Sequence, residues 1–126
     1  MGQGEIRGYT VHARSTDTFG RVLCDTRNHH FVVDGPVQNG CPGEAITPAE
    51  LFLAGIAACG VELVQVIGRE RQLAPRAINV EIEGAIDRSN PVRRDLTVFN
   101  SVHLRFHIDG VTQAQGADLI ERFKGR

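Results

Sequence analysis

The chain carries no long run of charge of either sign. Lys and Arg together number 14, Asp and Glu 15, and the formal net charge is -1. Neither nucleic acid nor an anionic membrane surface is offered an electrostatic footing. Arg93 and Arg94 form a local pair beside Asp95 and read as a solvated turn. Met1 to Arg7 contains no apolar h-region, which excludes an ordinary secretory signal and makes the cytoplasm the expected location. Cysteines are few: Cys24, Cys41 and Cys59 are odd in number, widely spaced, and include no CxxC or zinc-type grouping. They read as individual thiols. No Walker motif, dinucleotide-binding glycine pattern or G-x-S-x-G elbow occurs, and no internal repeat or low-complexity segment appears. Histidines do not supply a metal site. His29 and His30 are adjacent on a strand and point to opposite faces, and His103 and His107 share a face about 13 Å apart at roughly 3.3 Å per residue. No metal and no cofactor is expected.

What the chain does have is one very apolar helix. Thr47, Pro48, Ala49 and Glu50 form a T-x-x-E capping box with proline at the first helical position. Between Leu51 and Val61 no side chain is charged, and Leu51, Phe52, Leu53, Ile56 and Val61 are interleaved with Ala54, Gly55, Ala57, Ala58 and Gly60. A helix apolar all round is expected to be a buried core helix. The run looks too short for a membrane span of about 20 apolar residues, and Glu62 and Gln65 interrupt it. Polarity grows through Arg69, Glu70 and Arg71, and Pro75 ends any continuation. A helix from Pro48 to Gln72 would be roughly 37 Å long at about 1.5 Å per residue. One small domain hardly wraps such a rod, so a partner subunit is expected.

Around the helix the pattern is that of strands. Tyr9 to Ala13 and Arg21 to Asp25 flank the turn Ser15 to Gly20, and His30 to Val33 follows, giving an antiparallel meander. Asp34 to Gly43, rich in glycine and proline, reads as a flexible loop carrying Cys41. After the helix, Ile78, Val80 and Ile82 alternate with Asn79, Glu81 and Glu83. Val102, Leu104, Phe106 and Ile108 alternate with Ser101, His103, Arg105 and His107. Each is a strand with one buried face. The wet faces are acidic on the first and basic on the second, as cross-strand neighbours prefer, with the connection around Ser89, Asn90 and Pro91. Thr112 and Gln115 open a last helix through Phe123, whose Ala117, Ile120 and Phe123 look too few for a second core helix. The order of elements predicts an α+β fold, one domain over residues 1–126, with antiparallel sheets wrapped on a long buried central helix.

Cys59 is the candidate reactive group. Apolar burial and a mid-helix position both disfavour a thiolate, so positive charge must come from elsewhere. Glu62, one turn on, shares its helix face; the plainer accounts are that Cys59 packs as a small hydrophobe and that Glu62 is a helix-surface residue.

The segment from Thr47 to Cys59, with Val61, Glu62, Leu63 and the Arg69-Glu70-Arg71 stretch after it, resembles the OsmC/Ohr family of osmotically inducible and organic hydroperoxide resistance proteins. The glycine- and proline-rich loop before it and the strand pair after it match as well. The resemblance implies an OsmC-like intertwined homodimer built around paired central helices, with active sites at the interface. It implies that Cys59 is a peroxidatic thiolate that reduces organic hydroperoxides in oxidative-stress defence. An external dithiol would serve as reductant. The supporting residues are a glutamate near the helix start and an arginine from the meander. The family's glutamate position falls at Ala49, with Glu50 beside it, and the arginine candidates are Arg14 and Arg21. The family's second cysteine, in a Cys-Pro motif, and its last strand would lie beyond the Lys124, Gly125 and Arg126 that end this sequence. Cys41 is the internal alternative for reducing oxidised Cys59. A non-catalytic OsmC-like dimer binding an apolar small molecule is the other reading, and a purely structural module a third.

Overall fold

A computed structural model describes residues 5–125. The chain divides into two compact units, one up to Leu51 and the other from Phe52 onward.

The first unit is the expected meander, in which β1 (His12–Ser15), β2 (Arg21–Thr26) and β3 (His29–Asp34) form an antiparallel sheet in that order. β1 begins three residues later than the alternation suggested. A two-residue turn joins β2 to β3, with Arg27 at φ 49 and Asn28 at φ 67. Two consecutive left-handed residues match the twist of a tight hairpin, a role asparagine takes at low cost. The segment expected to be an open loop is organised: it holds a 3-10 turn at Val37–Asn39 and returns its backbone to the sheet. Gly35 N–H donates to Gly20 C=O at 2.8 Å and Asp34 N–H to Ile46 C=O at 3.0 Å.

Helix α1 (Pro48–Glu70) starts in the first unit and runs into the second. Its capping box forms, with Thr47 N–H donating to Glu50 Oε1 at 3.0 Å and Glu50 N–H to Thr47 Oγ1 at 3.4 Å. The helix ends two residues before the expected Gln72. Leu73 N–H reaches Gly68 C=O at 2.8 Å and Gln72 N–H reaches Arg69 C=O at 3.1 Å, a Schellman closure with Gln72 left-handed at φ 58. This turn, rather than Pro75, ends the helix.

In the second unit β4 (Ala77–Ala85) and β5 (Ser101–Asp109) pair antiparallel in the register their charges indicate, Glu81 opposite Arg105 and Glu83 opposite His103. Arg105 Nη2 donates to Glu81 at 2.7 Å and to Glu83 at 2.6 Å. α2 (Gln113–Phe123) opens on the Thr112/Gln115 capping box. The inner faces meet in a core of Val64, Ile67 and Leu119, flanked by Leu73, Ile78, Phe106, Ile108 and Phe123. Two expectations change here. α2 does contribute to the core, through the fully buried Leu119 with Phe123, while Ala117 faces solvent. A stripe anchored on Ala117 misplaces the helix face by two residues.

The second change concerns α1, which is buried along one stripe, Gly60, Val64, Ile67 and Gly68, and not all round. β4, β5 and α2 cover a single side of it. Leu51 and Phe52 remain exposed, as do Ala54, Ala58 and Cys59. By length and composition α1 is also apolar enough to cross a membrane, contrary to the sequence reading, because 23 helical residues dilute Glu62 and Gln65. Its buried stripe packs on protein, as a core helix does.

Candidate functional site

Cys59 opens onto a cavity of about 580 Å³ in the second unit, lined by Phe52, Gly55, Ile56, Cys59, Leu63, Phe123 and Lys124. Residues 52, 55, 56, 59 and 63 follow the three- and four-residue spacing of one helix face, so α1 supplies a single apolar wall. Two of the lining phenylalanines belong to aromatic pairs. Phe52 stacks on Phe99 with ring centroids 5.6 Å apart, and Phe123 meets Phe106 edge-on at 5.5 Å. Gly60 lies close beneath the second pair: a Cβ there would sit 3.2 Å from Phe106, a tight approach, and in ordinary contact with Phe123 at 3.7 Å.

Cys59 is the exposed cysteine of the three; Cys24 is buried and Cys41 half-buried. Among the described residues Cys59 has no hydrogen-bond partner. Glu62 is exposed on the neighbouring face and lines a separate cavity with Gln65, Val66 and Arg69. Cys41 is not carried on a swinging loop. Its side chain packs where a Cβ on Gly20 or Gly35 would sit, and its N–H donates to Pro36 C=O at 3.3 Å.

The other expected site residues lie in the first unit, and the structure shows what each of them touches. Arg21 grips Asp34 with two parallel bonds, Nε to Oδ1 at 2.8 Å and Nη2 to Oδ2 at 2.9 Å, and Nη2 also reaches Glu44 at 2.7 Å. Asp34 is fully buried and its Oδ2 accepts from the Glu44 and Ala45 N–H groups at 2.9 and 2.8 Å. Hydrogen bonding from Arg21 holds the Asp34 carboxyl well below the usual carboxylate range, with the two backbone donors adding to it and burial opposing. The same two carboxylates raise the already high pKa of Arg21. Nη1 of Arg21 carries no bond among the described residues. Arg14 stands exposed on β1 opposite Leu23 with no such anchoring. Glu50 is held by Thr47, whose backbone and hydroxyl bonds lower its pKa.

Sequence reasoning missed Asp34 and Lys124. A lone aspartate ending an apolar strand, Val32-Val33-Asp34, was the available signal for the first; nothing pointed to Lys124. No group of three or more metal-ligating side chains occurs among the described residues.

Comparison with known proteins follows the same lines. The chain is similar to an OsmC-like protein of Mycoplasma pneumoniae, with TM-score 0.80, 14% identity, and 95% of this chain and 82% of that one covered. It is similar to an organic hydroperoxide resistance protein OsmC of Legionella pneumophila, with TM-score 0.73, 20% identity and coverage of 95% and 84%. A putative organic hydroperoxide resistance protein of Vibrio cholerae, solved with captopril in one of its active sites, aligns with TM-score 0.73, 21% identity and coverage of 99% and 84%. At these identities the likeness is one of fold. Among curated protein sequences none matches. The profile described as OsmC-like protein matches residues 41–126, more than half of the chain, and the chain therefore belongs to the OsmC-like protein family.

Proposed function

We propose that this protein is a thiol-dependent peroxidase that reduces organic hydroperoxides through Cys59 and serves in oxidative-stress defence. The observation that carries the reading is the position of Cys59, an exposed thiol in the wall of an apolar cavity large enough for a small organic molecule. Family membership and the names of the hydroperoxide resistance proteins sharing its fold support it.

In the reaction the Cys59 thiolate attacks the distal oxygen of R–O–O–H. The S–O bond forms, the O–O bond breaks, and the alkoxide takes a proton to leave as R–OH. Cys59 becomes a sulfenic acid. One thiol of an external dithiol condenses with it, releasing water and forming a mixed disulfide, and the second thiol then displaces Cys59 as free thiol. The cytoplasm is the compartment that supplies such dithiols. Of the two arginine candidates, Arg21 is the better held, clamped by Asp34 and Glu44 with Nη1 uncommitted, and we assign it rather than Arg14 to support the thiolate. Glu50 acts by anchoring the start of α1. The two units belong to one OsmC-like domain in this reading. A second copy of the chain covers the exposed α1 residues Leu51, Ala54 and Ala58, which share a face at helical spacing.

The absence of a hydrogen-bond partner for Cys59 among the described residues favours a second reading, in which the cavity binds an apolar molecule without chemistry. Consumption of cumene hydroperoxide in the presence of dithiothreitol separates the two. Wild type is expected to turn over, Cys59→Ser to lose all turnover, and Cys41→Ser to retain it. Inert wild type, or a Cys59→Ser variant with full activity, contradicts the peroxidase reading. Arg21→Ala is expected to slow turnover more than Arg14→Ala.

A further inference from the structure

We propose that the connection between β4 and β5 is a phosphate-binding site built from Arg88, Arg93 and Arg94, sharing no lining residue with the Cys59 cavity. Residues 86–100 leave and rejoin the strand pair as an organised loop. Asn100 closes it: Oδ1 accepts from Asp87 N–H at 2.7 Å, Nδ2 donates to Asn90 C=O at 2.8 Å, and its N–H donates to Ala85 C=O at 2.8 Å. The loop encloses a cavity of about 180 Å³ whose polar lining includes Asp87, the three arginines and Thr97.

Three arginines thus share a lining with a single carboxylate, and Ser89 already holds that one: its hydroxyl and N–H donate to Asp87 Oδ1 at 2.5 and 3.0 Å. Arg93 is committed to Asp95, Nε to Oδ1 at 3.0 Å and Nη2 to Oδ2 at 2.6 Å. Arg88 and Arg94 make no hydrogen bond or ion pair among the described residues. The turn that reads in the sequence as a solvated Arg93-Arg94-Asp95 therefore neutralises one arginine and leaves the next open. Two open guanidiniums fix the ligand's chemistry. Each carries a planar fork of donors that matches phosphate oxygens, and their two charges are met by a phosphate dianion but only half met by a carboxylate. The volume lies below the roughly 300–1,000 Å³ of pockets for drug-sized ligands, so the cavity takes the phosphate group itself. That group is either free inorganic phosphate or the end of a small phosphomonoester. Because Asn100 already holds the loop, less ordering is needed when it binds.

The test is an NMR titration of the full chain with inorganic phosphate and with phenyl phosphate, at constant ionic strength in sodium chloride, following the backbone amides. Both are expected to saturate with midpoints on the order of 1 mM and to move amides of residues 86–100. Equal affinities assign the site to the ion itself, and tighter phenyl phosphate assigns it to a phosphorylated molecule whose body rests on the lining residues Ile86 and Leu96. Arg88→Gln and Arg94→Gln should each weaken binding roughly two- to five-fold, the range of an exposed ion pair. Asp95→Asn should strengthen it by a similar factor, because it releases Arg93. Shifts that do not saturate, that fall outside the loop, or that persist unchanged when Arg88→Gln and Arg94→Gln are combined overturn the proposal. None of these outcomes bears on peroxide turnover through Cys59.

Discussion

In the first unit the fully buried side chain is a carboxylate, Asp34, whereas in the second the most buried are Val64, Ile67 and Leu119. Asp34 satisfies its charge with four donors drawn from β2 and from the segment that precedes α1. It therefore ties a short strand meander and an irregular loop together in a unit whose buried apolar residues are only Cys24 and Val33 among the described residues. The second unit relies on area removed from water and leaves its polar pairs outside, as with Arg105 and its two glutamates. A charge lock specifies position, and an apolar core supplies stability.

The comparison breaks most heavily at Leu119. Truncation to alanine removes a fully buried side chain that touches α1 and is expected to cost about 2–5 kcal/mol, read as a lower urea midpoint. A loss under ~1 kcal/mol would mean that α2 is not part of the core.

Asp34→Asn comes next and sharpens the contrast through pH. The folded protein holds this carboxyl below its ordinary pKa, chiefly through Arg21. Its stabilising contribution is therefore complete above the unfolded value, about 4, and is lost as pH falls through the folded value. The variant is expected to be less stable at pH 7 and to show a flatter decline below about pH 4. An unchanged acid limb would show that the Arg21–Asp34 pair is not what the acid attacks. Substitutions in the second-unit core should shift the whole curve without changing that slope.

Thr112→Ala is the smallest of the three. It removes the hydroxyl that accepts from Gln115 N–H at 3.1 Å and is expected to cost about 1 kcal/mol. No measurable change would show that α2 depends on packing alone.

Features encoded by local rules were legible in the sequence. Both capping boxes form at the residues that spell them, and the β4–β5 register follows from alternation and opposite charge. The end of α1 was not legible, because its left-handed closing residue is Gln72 rather than glycine. Asp34 read as the first residue of a loop, since nothing local announces that Arg21, 13 positions away, and two N–H groups will converge on it. Leu119 lost to Ala117 because a short helix admits more than one apolar stripe, and packing chose between them. Cys59 was found through its position in the motif, but the cavity beside it depends on Phe123 and Lys124, far along the chain. Such contacts of high sequence separation leave no periodic trace.

The most direct test of the central claim is intact mass after a stoichiometric pulse of cumene hydroperoxide with dimedone present, on wild type and Cys59→Ser. The account predicts one dimedone adduct in wild type, mapped to Cys59, and none in the variant. A wild-type thiol that stays reduced and unmodified, or an adduct that persists in Cys59→Ser, would contradict it.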